Sequence, residues 1–139
     1  METIDASKYY IMARHGEVDR ESDLIIGSGN ESGNIPLNRE GRNQAIRLAY
    51  EFQKRFGEPS LIITSPLRRA LETAEIVASS FSITIPIVPI SALQAQNFGV
   101  LEGYRVSEAR EIDTLKPFLY MNNPAEDRYT LKPPSGESL

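Results

Sequence analysis

An α/β fold built on a mainly parallel sheet is predicted by two observations. Short, continuous apolar runs at residues 8–13, 61–64 ("LIIT") and 83–88 ("ITIPIV") have the length of buried strands and are too short for helices. Between them lie longer segments whose apolar residues recur at helical spacing. Strand, helix, strand, helix, strand in that order implies βαβ units, and such units make parallel sheets.

Each element has local signals. The first run ends at Arg14, and residues 17–37 are polar and rich in turn formers. "GSGNESGN" at 27–34 reads as a loop by composition. Asn38 is placed to cap a helix starting near Arg39. Its apolar face is Ala45, Leu48, Ala49, Phe52 and Phe56, with Gly57 to end it and Pro59 just beyond. After the second run, Ser65 and Pro66 read as an oxygen cap and a first-turn proline. Leu67, Ala70, Leu71, Ala74, Val77 and Ala78 form the next apolar face. Pro86 inside the third run suggests a sheet edge or a bulge. "SALQAQNFGVLEGY" at 91–104 reads as loop. Residues 107–122 suit a helix capped by Ser107, with Pro117 as a kink or an end. The remainder is Pro-rich and irregular. The 139 residues fit one domain, 1–139, with enough chain to bury a core.

Composition excludes several functions. The net charge of −4 and the lack of a basic run argue against nucleic acid as a partner. A small anion is still permitted, because a site can be basic in an acidic protein. With no cysteine there are no disulfides, thiolate zinc sites or thiol nucleophiles. The single histidine rules out a His-rich metal site within one chain. The N-terminal "METIDASKYY" lacks the basic and apolar parts of a signal peptide. No apolar run approaches the ~18 residues of a spanning helix. A cytoplasmic protein with no membrane partner is expected.

In parallel sheets, ligands bind beyond the carboxyl ends of strands. The first run delivers Arg14-His15-Gly16-Glu17 there, and the second delivers Ser65-Pro66-Leu67-Arg68-Arg69. A helix N-terminus favours an anion, and arginine forks match phosphate oxygens. A neutral histidine nitrogen among them can attack phosphorus near pH 7. Singly, each residue has an ordinary reading: an exposed histidine, a solvated Arg68-Arg69 pair, a backbone glycine at 16, a surface acid at 17. Arg68 and Arg69 nonetheless sit at the unfavourable end of the helix dipole, which hints at another task.

Five blocks, taken together, carry a resemblance. "ARHGE" (13–17), "PLNREGRNQA" (36–45), "ITSPLRRALETAEIVA" (63–78), "NFGVLEG" (97–103) and "PPSGES" (133–138) are similar, in this order, to motifs of the histidine phosphatase superfamily, the phosphoglycerate-mutase-like proteins. The resemblance implies a three-layer αβα fold with helices on both faces of the sheet. It implies a phosphomonoesterase acting through a phosphohistidine on a small phosphorylated molecule, or binding phosphate ion, without a cofactor. His15 then corresponds to the nucleophile. Arg14 and Arg69, rather than Arg68, correspond to the phosphate clamp.

Three departures accompany the likeness. The family's second active-site histidine has no counterpart, and the chain stops just after "GES". A truncated form, incomplete at the C-terminus, is therefore expected, and a homodimer that supplies sheet edges is compatible with it. Ala95 stands where the family carries its proton-donating Glu, leaving Glu102 and Glu17 as candidate acids. The residues after the Arg-His-Gly are Glu17-Val18-Asp19-Arg20-Glu21, without the Thr and Asn of mutase and sugar-phosphatase branches. Phosphatase chemistry is thus expected over mutase chemistry. The alternative is a phosphate-binding or interaction module of the same fold, impaired or inactive in catalysis.

Overall fold

The computed structural model describes residues 9–20, 23–119 and 135–136. The longest element is α2, Arg39–Phe56, which follows a one-turn helix, α1, Asn30–Gly33. Asn38 caps α2 as its type predicts: its side-chain oxygen accepts from the Gly41 amide at 2.7 Å. Gly57 ends α2 with a φ of 81°, and its N–H donates to the Gln53 carbonyl. That backbone conformation suits glycine, as the sequence anticipated. Helix α3 spans Arg68–Ser79 and packs along α2. Their shared core is Ala45, Ala49, Val77, Phe81 and Ile85, with Leu48, Phe52 and Ile62 against it.

The architecture is α/β. Strands β1 (Ile62–Thr64) and β2 (Ile87–Pro89) pair in parallel, Ile62 opposite Ile87, joined by α3 as a βαβ unit. The Ile62 N–H donates to the Pro86 carbonyl and the Ile90 N–H to the Thr64 carbonyl. Residues 86, 88 and 90 therefore face β1, and the absent N–H of Pro89 faces away from it, where no bond is lost. A second core is separate from the first. It joins Leu101, Ala109, Leu115 and Leu119, and it includes α4, Val106–Glu111. No helix among the described residues is long and apolar enough to cross a membrane.

Several elements differ from the sequence reading. Residues 9–13, expected as a strand, carry no regular structure, and Lys8 lies outside the described residues. A strand exists only with a partner, and among the described residues the sheet contains β1 and β2 alone. Tyr9, Tyr10, Ile11 and Met12 are accordingly exposed, Met12 at 98%. The third strand begins at Ile87 rather than residue 83, because Phe81 and Ile85 turn into the helical core instead. Helix α3 starts after Leu67, not Ser65; the Ser65 hydroxyl accepts from the Leu67 N–H at 3.3 Å and shapes the turn out of β1. The loop 27–34 contains α1, and 91–104 contains two short 3₁₀ turns, Ser91–Leu93 and Gly99–Leu101. Helix α4 starts at Val106 and stops at Glu111; Pro117 sits in a separate 3₁₀ turn, Lys116–Phe118, and residues 120–122 lie outside the described residues. Asp23, distant in sequence, supplies its N-terminal acceptor, taking bonds from the Ser107 N–H and hydroxyl.

Gly16 and Gly41 meet backbone to backbone. A Cβ on Gly16 would lie 2.8 Å from the Gly41 carbonyl carbon, and one on Gly41 would lie 2.7 Å from the Glu17 nitrogen. Helix propensity alone favours alanine at position 41 by about 1 kcal/mol. Gly41→Ala is expected instead to lose about 1–3 kcal/mol of stability through overpacking. Urea denaturation of the two proteins measures the difference, and an unchanged or raised midpoint would contradict the close approach.

Candidate active site

The segment that carries His15 is pinned from both helices. From α3, the Thr73 hydroxyl accepts from the buried Gly16 N–H at 3.1 Å and donates to the Arg69 carbonyl at 2.8 Å. From α2, Gln44 Oε1 accepts from the Glu17 N–H at 2.8 Å. Asn38 holds the following stretch: its N–H donates to the Glu17 carbonyl, and its side-chain amide donates to Glu17 Oε1 and Asp19 Oδ1. Gly41, Gln44 and Thr73 all lie within the motif blocks, but helical spacing alone gave them no task. Each acts on a segment far away in sequence, so a local pattern could not reveal it.

His15 Nδ1 lies 2.7 Å from the Gly16 carbonyl oxygen. A carbonyl only accepts, so Nδ1 carries the proton and the lone pair of the neutral ring is on Nε2. Burial holds the His15 pKa below 6.5, despite the opposing bond to Gly16, and the cations of Arg69, Arg14 and Arg20 lower it further. The ring is therefore neutral at physiological pH, as a nucleophile requires. The ring flanks a cavity of about 290 Å³ lined by Met12, Arg14, Gln44, Leu48 and Thr73 among others.

The predicted arginines differ in setting. Arg14 is exposed and, among the described residues, has no hydrogen-bond or ion-pair partner. Arg69 is 3% exposed. Its guanidinium donates to the Ser32 carbonyl at 2.8 Å and to the Gly27 carbonyl at 3.1 Å, leaving three of its five N–H groups. Burial pulls its pKa down, the Glu102 carboxylate pulls it up, and Arg20 again lowers it. Arg68 lies outside this arrangement, on the surface, donating to Glu72 at 3.3 Å. Arg20, which the sequence reading did not single out, influences both His15 and Arg69. It lines a separate, open groove with Asp19, Leu24, Gly103, Arg105 and Glu108.

The two candidate acids are engaged unequally. Both Glu102 oxygens accept from the Gly29 N–H at 3.0 Å, and Oε1 also accepts from the Phe98 N–H. That carboxylate ties the 27–29 loop to the turn at 98–102 and compensates the Arg69 charge. Glu17 is exposed, with Oε1 on Asn38 and Oε2 free among the described residues. Among the described residues no three His, Cys, Asp or Glu side chains gather to hold a metal ion.

Comparison with known proteins follows the same motifs. The family model described as histidine phosphatase superfamily (branch 1) matches residues 10–139. A protein named uncharacterized phosphatase PhoE, from Bacillus subtilis (strain 168), is 35% identical over 97 residues, covering 70% of this chain and 47% of that protein. The α-ribazole phosphatase from Shigella flexneri is similar in structure, with a TM-score of 0.70 and 26% identity over 89% of this chain and 56% of that one. Mycobacterial glucosyl-3-phosphoglycerate phosphatase Rv2419c in complex with inorganic phosphate gives a TM-score of 0.64 and 25% identity, covering 89% of this chain and 52% of that one. The chain spans about half the length of the curated relatives it matches.

Two measurements check this site. As the only histidine, His15 gives one imidazole signal, and its NMR titration midpoint is expected below 6.5. Removing a nearby cation with Arg20→Gln is expected to raise the midpoint. The unfolded chain binds the proton more readily, so stability falls as pH drops from about 6.5 toward the folded pKa. Separately, Thr73→Val leaves the buried Gly16 N–H unpaired and is expected to cost about 1–3 kcal/mol in denaturant unfolding.

Proposed function

Because the chain belongs to the histidine phosphatase superfamily (branch 1), we propose that it acts as a phosphomonoesterase on a small phosphorylated molecule. One observation carries this reading: a neutral imidazole with its lone pair on Nε2, flanking a cavity that Arg14 also lines. In the proposed reaction Nε2 attacks phosphorus in line with the ester oxygen. The P–N bond forms as the P–O bond breaks, and the departing oxygen takes a proton. Water then attacks the phosphohistidine, the P–N bond breaks, and phosphate leaves with the ring neutral again.

Arg14 and Arg69 are the proposed clamp for the equatorial oxygens. Among the described residues Arg14 brings an unpartnered guanidinium, and Arg69 brings one with two of its five N–H groups engaged. Of the two acids, Glu17 is the one we assign to protonating the leaving group, since Oε2 is free and it stands two residues after His15. Glu102, which accepts from the Gly29 and Phe98 N–H groups, is instead committed to holding the loop. The phosphate held by the Rv2419c neighbour supports a phosphoryl ligand. A second reading, phosphate binding without turnover, is favoured by Ala95 at the position of the family's acid.

Incubation with p-nitrophenyl phosphate distinguishes the two. The chain is expected to release p-nitrophenol through an acid-labile phosphohistidine, and His15→Ala is expected to abolish both. Arg14→Ala is expected to lower the rate by roughly 10²–10³, the size typical of one preorganised donor. Phosphate binding without p-nitrophenol release would select the second reading.

A further inference from the structure

We infer that Gln44 is a positioning residue for His15, acting through the peptide group that joins Gly16 to Glu17. That peptide is one planar unit whose C=O and N–H point in opposite directions. On one side its carbonyl oxygen accepts from His15 Nδ1 at 2.7 Å. On the other its N–H donates to Gln44 Oε1 at 2.8 Å. The Gln44 bond fixes the rotation of the peptide, and so the direction from which the carbonyl meets the ring. It also draws the N–H electrons toward nitrogen and leaves the carbonyl oxygen more negative, which strengthens the bond from Nδ1. A carbonyl held in that place accepts only from a protonated Nδ1. Gln44 thus keeps the neutral ring in the form whose lone pair is on Nε2.

The location of Gln44 is itself determined. It stands three residues after Gly41 on α2, on the same face of the helix, where the missing side chain of Gly41 lets the His15 segment lie against the backbone. The preceding peptide, His15 to Gly16, is held from the opposite helix by Thr73. Both peptide groups of Gly16 are therefore fixed, and only the one held by Gln44 carries the carbonyl that meets the imidazole.

The inference rests on His15 as nucleophile, but the tautomer is measurable without turnover. The test is the side-chain ¹⁵N shifts of neutral His15 in the whole 139-residue chain, for the parent, Gln44→Met and Gln44→Glu. The parent and Gln44→Glu, which keeps an acceptor on a stem of equal length, are expected to show the lone pair on Nε2. Gln44→Met, which keeps the length without that acceptor, is expected to show a mixture of tautomers. Its single-turnover phosphorylation by p-nitrophenyl phosphate should fall roughly 10- to 100-fold, the range seen when the outer partner of a functional imidazole is removed at metal sites. A Gln44→Met chain that keeps the pure Nε2 lone-pair form overturns the inference, as does a parent with its lone pair on Nδ1. If Gln44→Met does not fold, Gln44→Ala, which also removes the acceptor, decides in its place: a mixture of tautomers upholds the inference and the pure Nε2 lone-pair form refutes it. A tautomer change without phosphorylation of any variant would count against the phosphatase reading and leave the role of Gln44 intact.

Discussion

The contact between Gly16 and Gly41 is the constraint on which the site depends. Two backbones lie closer there than any side chain permits. That approach brings the Glu17 N–H within reach of Gln44 and places the Asn38 cap beside Glu17 and Asp19. It also sets the Gly16 N–H against Thr73 on the neighbouring helix. A methyl group at either glycine would push α2 outward, and several hydrogen bonds would lengthen together. The orientation of His15 is thus a result of backbone packing first and of side-chain chemistry second.

Arg69 shows a different balance. A cation with 3% exposure carries a desolvation cost of several kcal/mol. Two carbonyls, of Ser32 and Gly27, and the charge of Glu102 offset it. These partners come from the 27–33 segment and the turn at 98–102, so the arginine also ties together the segments around it. The same guanidinium contributes to keeping His15 unprotonated. Loop order and the protonation of His15 therefore both depend on one side chain.

What was legible in the sequence follows from how local each signal is. Helix α2 was readable because its cap at Asn38, its apolar period and its stop at Gly57 all lie within the segment itself. The α/β class was readable from the alternation of elements. Strand positions were less so, since a strand is defined by its partner. The apolar residues at 81 and 85 were claimed by the helical core, and the run at 9–13 found no neighbour among the described residues. Arg69 could be named in advance, but not that two of its donors are already used. Thr73 and Gln44 stood in plain view within the motifs, and only their distant backbone partners reveal what they do.

The bonds that complete the site span long stretches of chain: 57 residues from Gly16 to Thr73, 73 from Gly29 to Glu102, and 84 from Asp23 to Ser107. On a ribosome the chain emerges N-terminus first. At about 5–20 residues per second, the loop at Gly29 waits roughly 4–15 s for the carboxylate that secures it. During that interval His15 is already made while partners that order its surroundings are not. The segment around His15 is thus ordered only once residues far along the chain have been made.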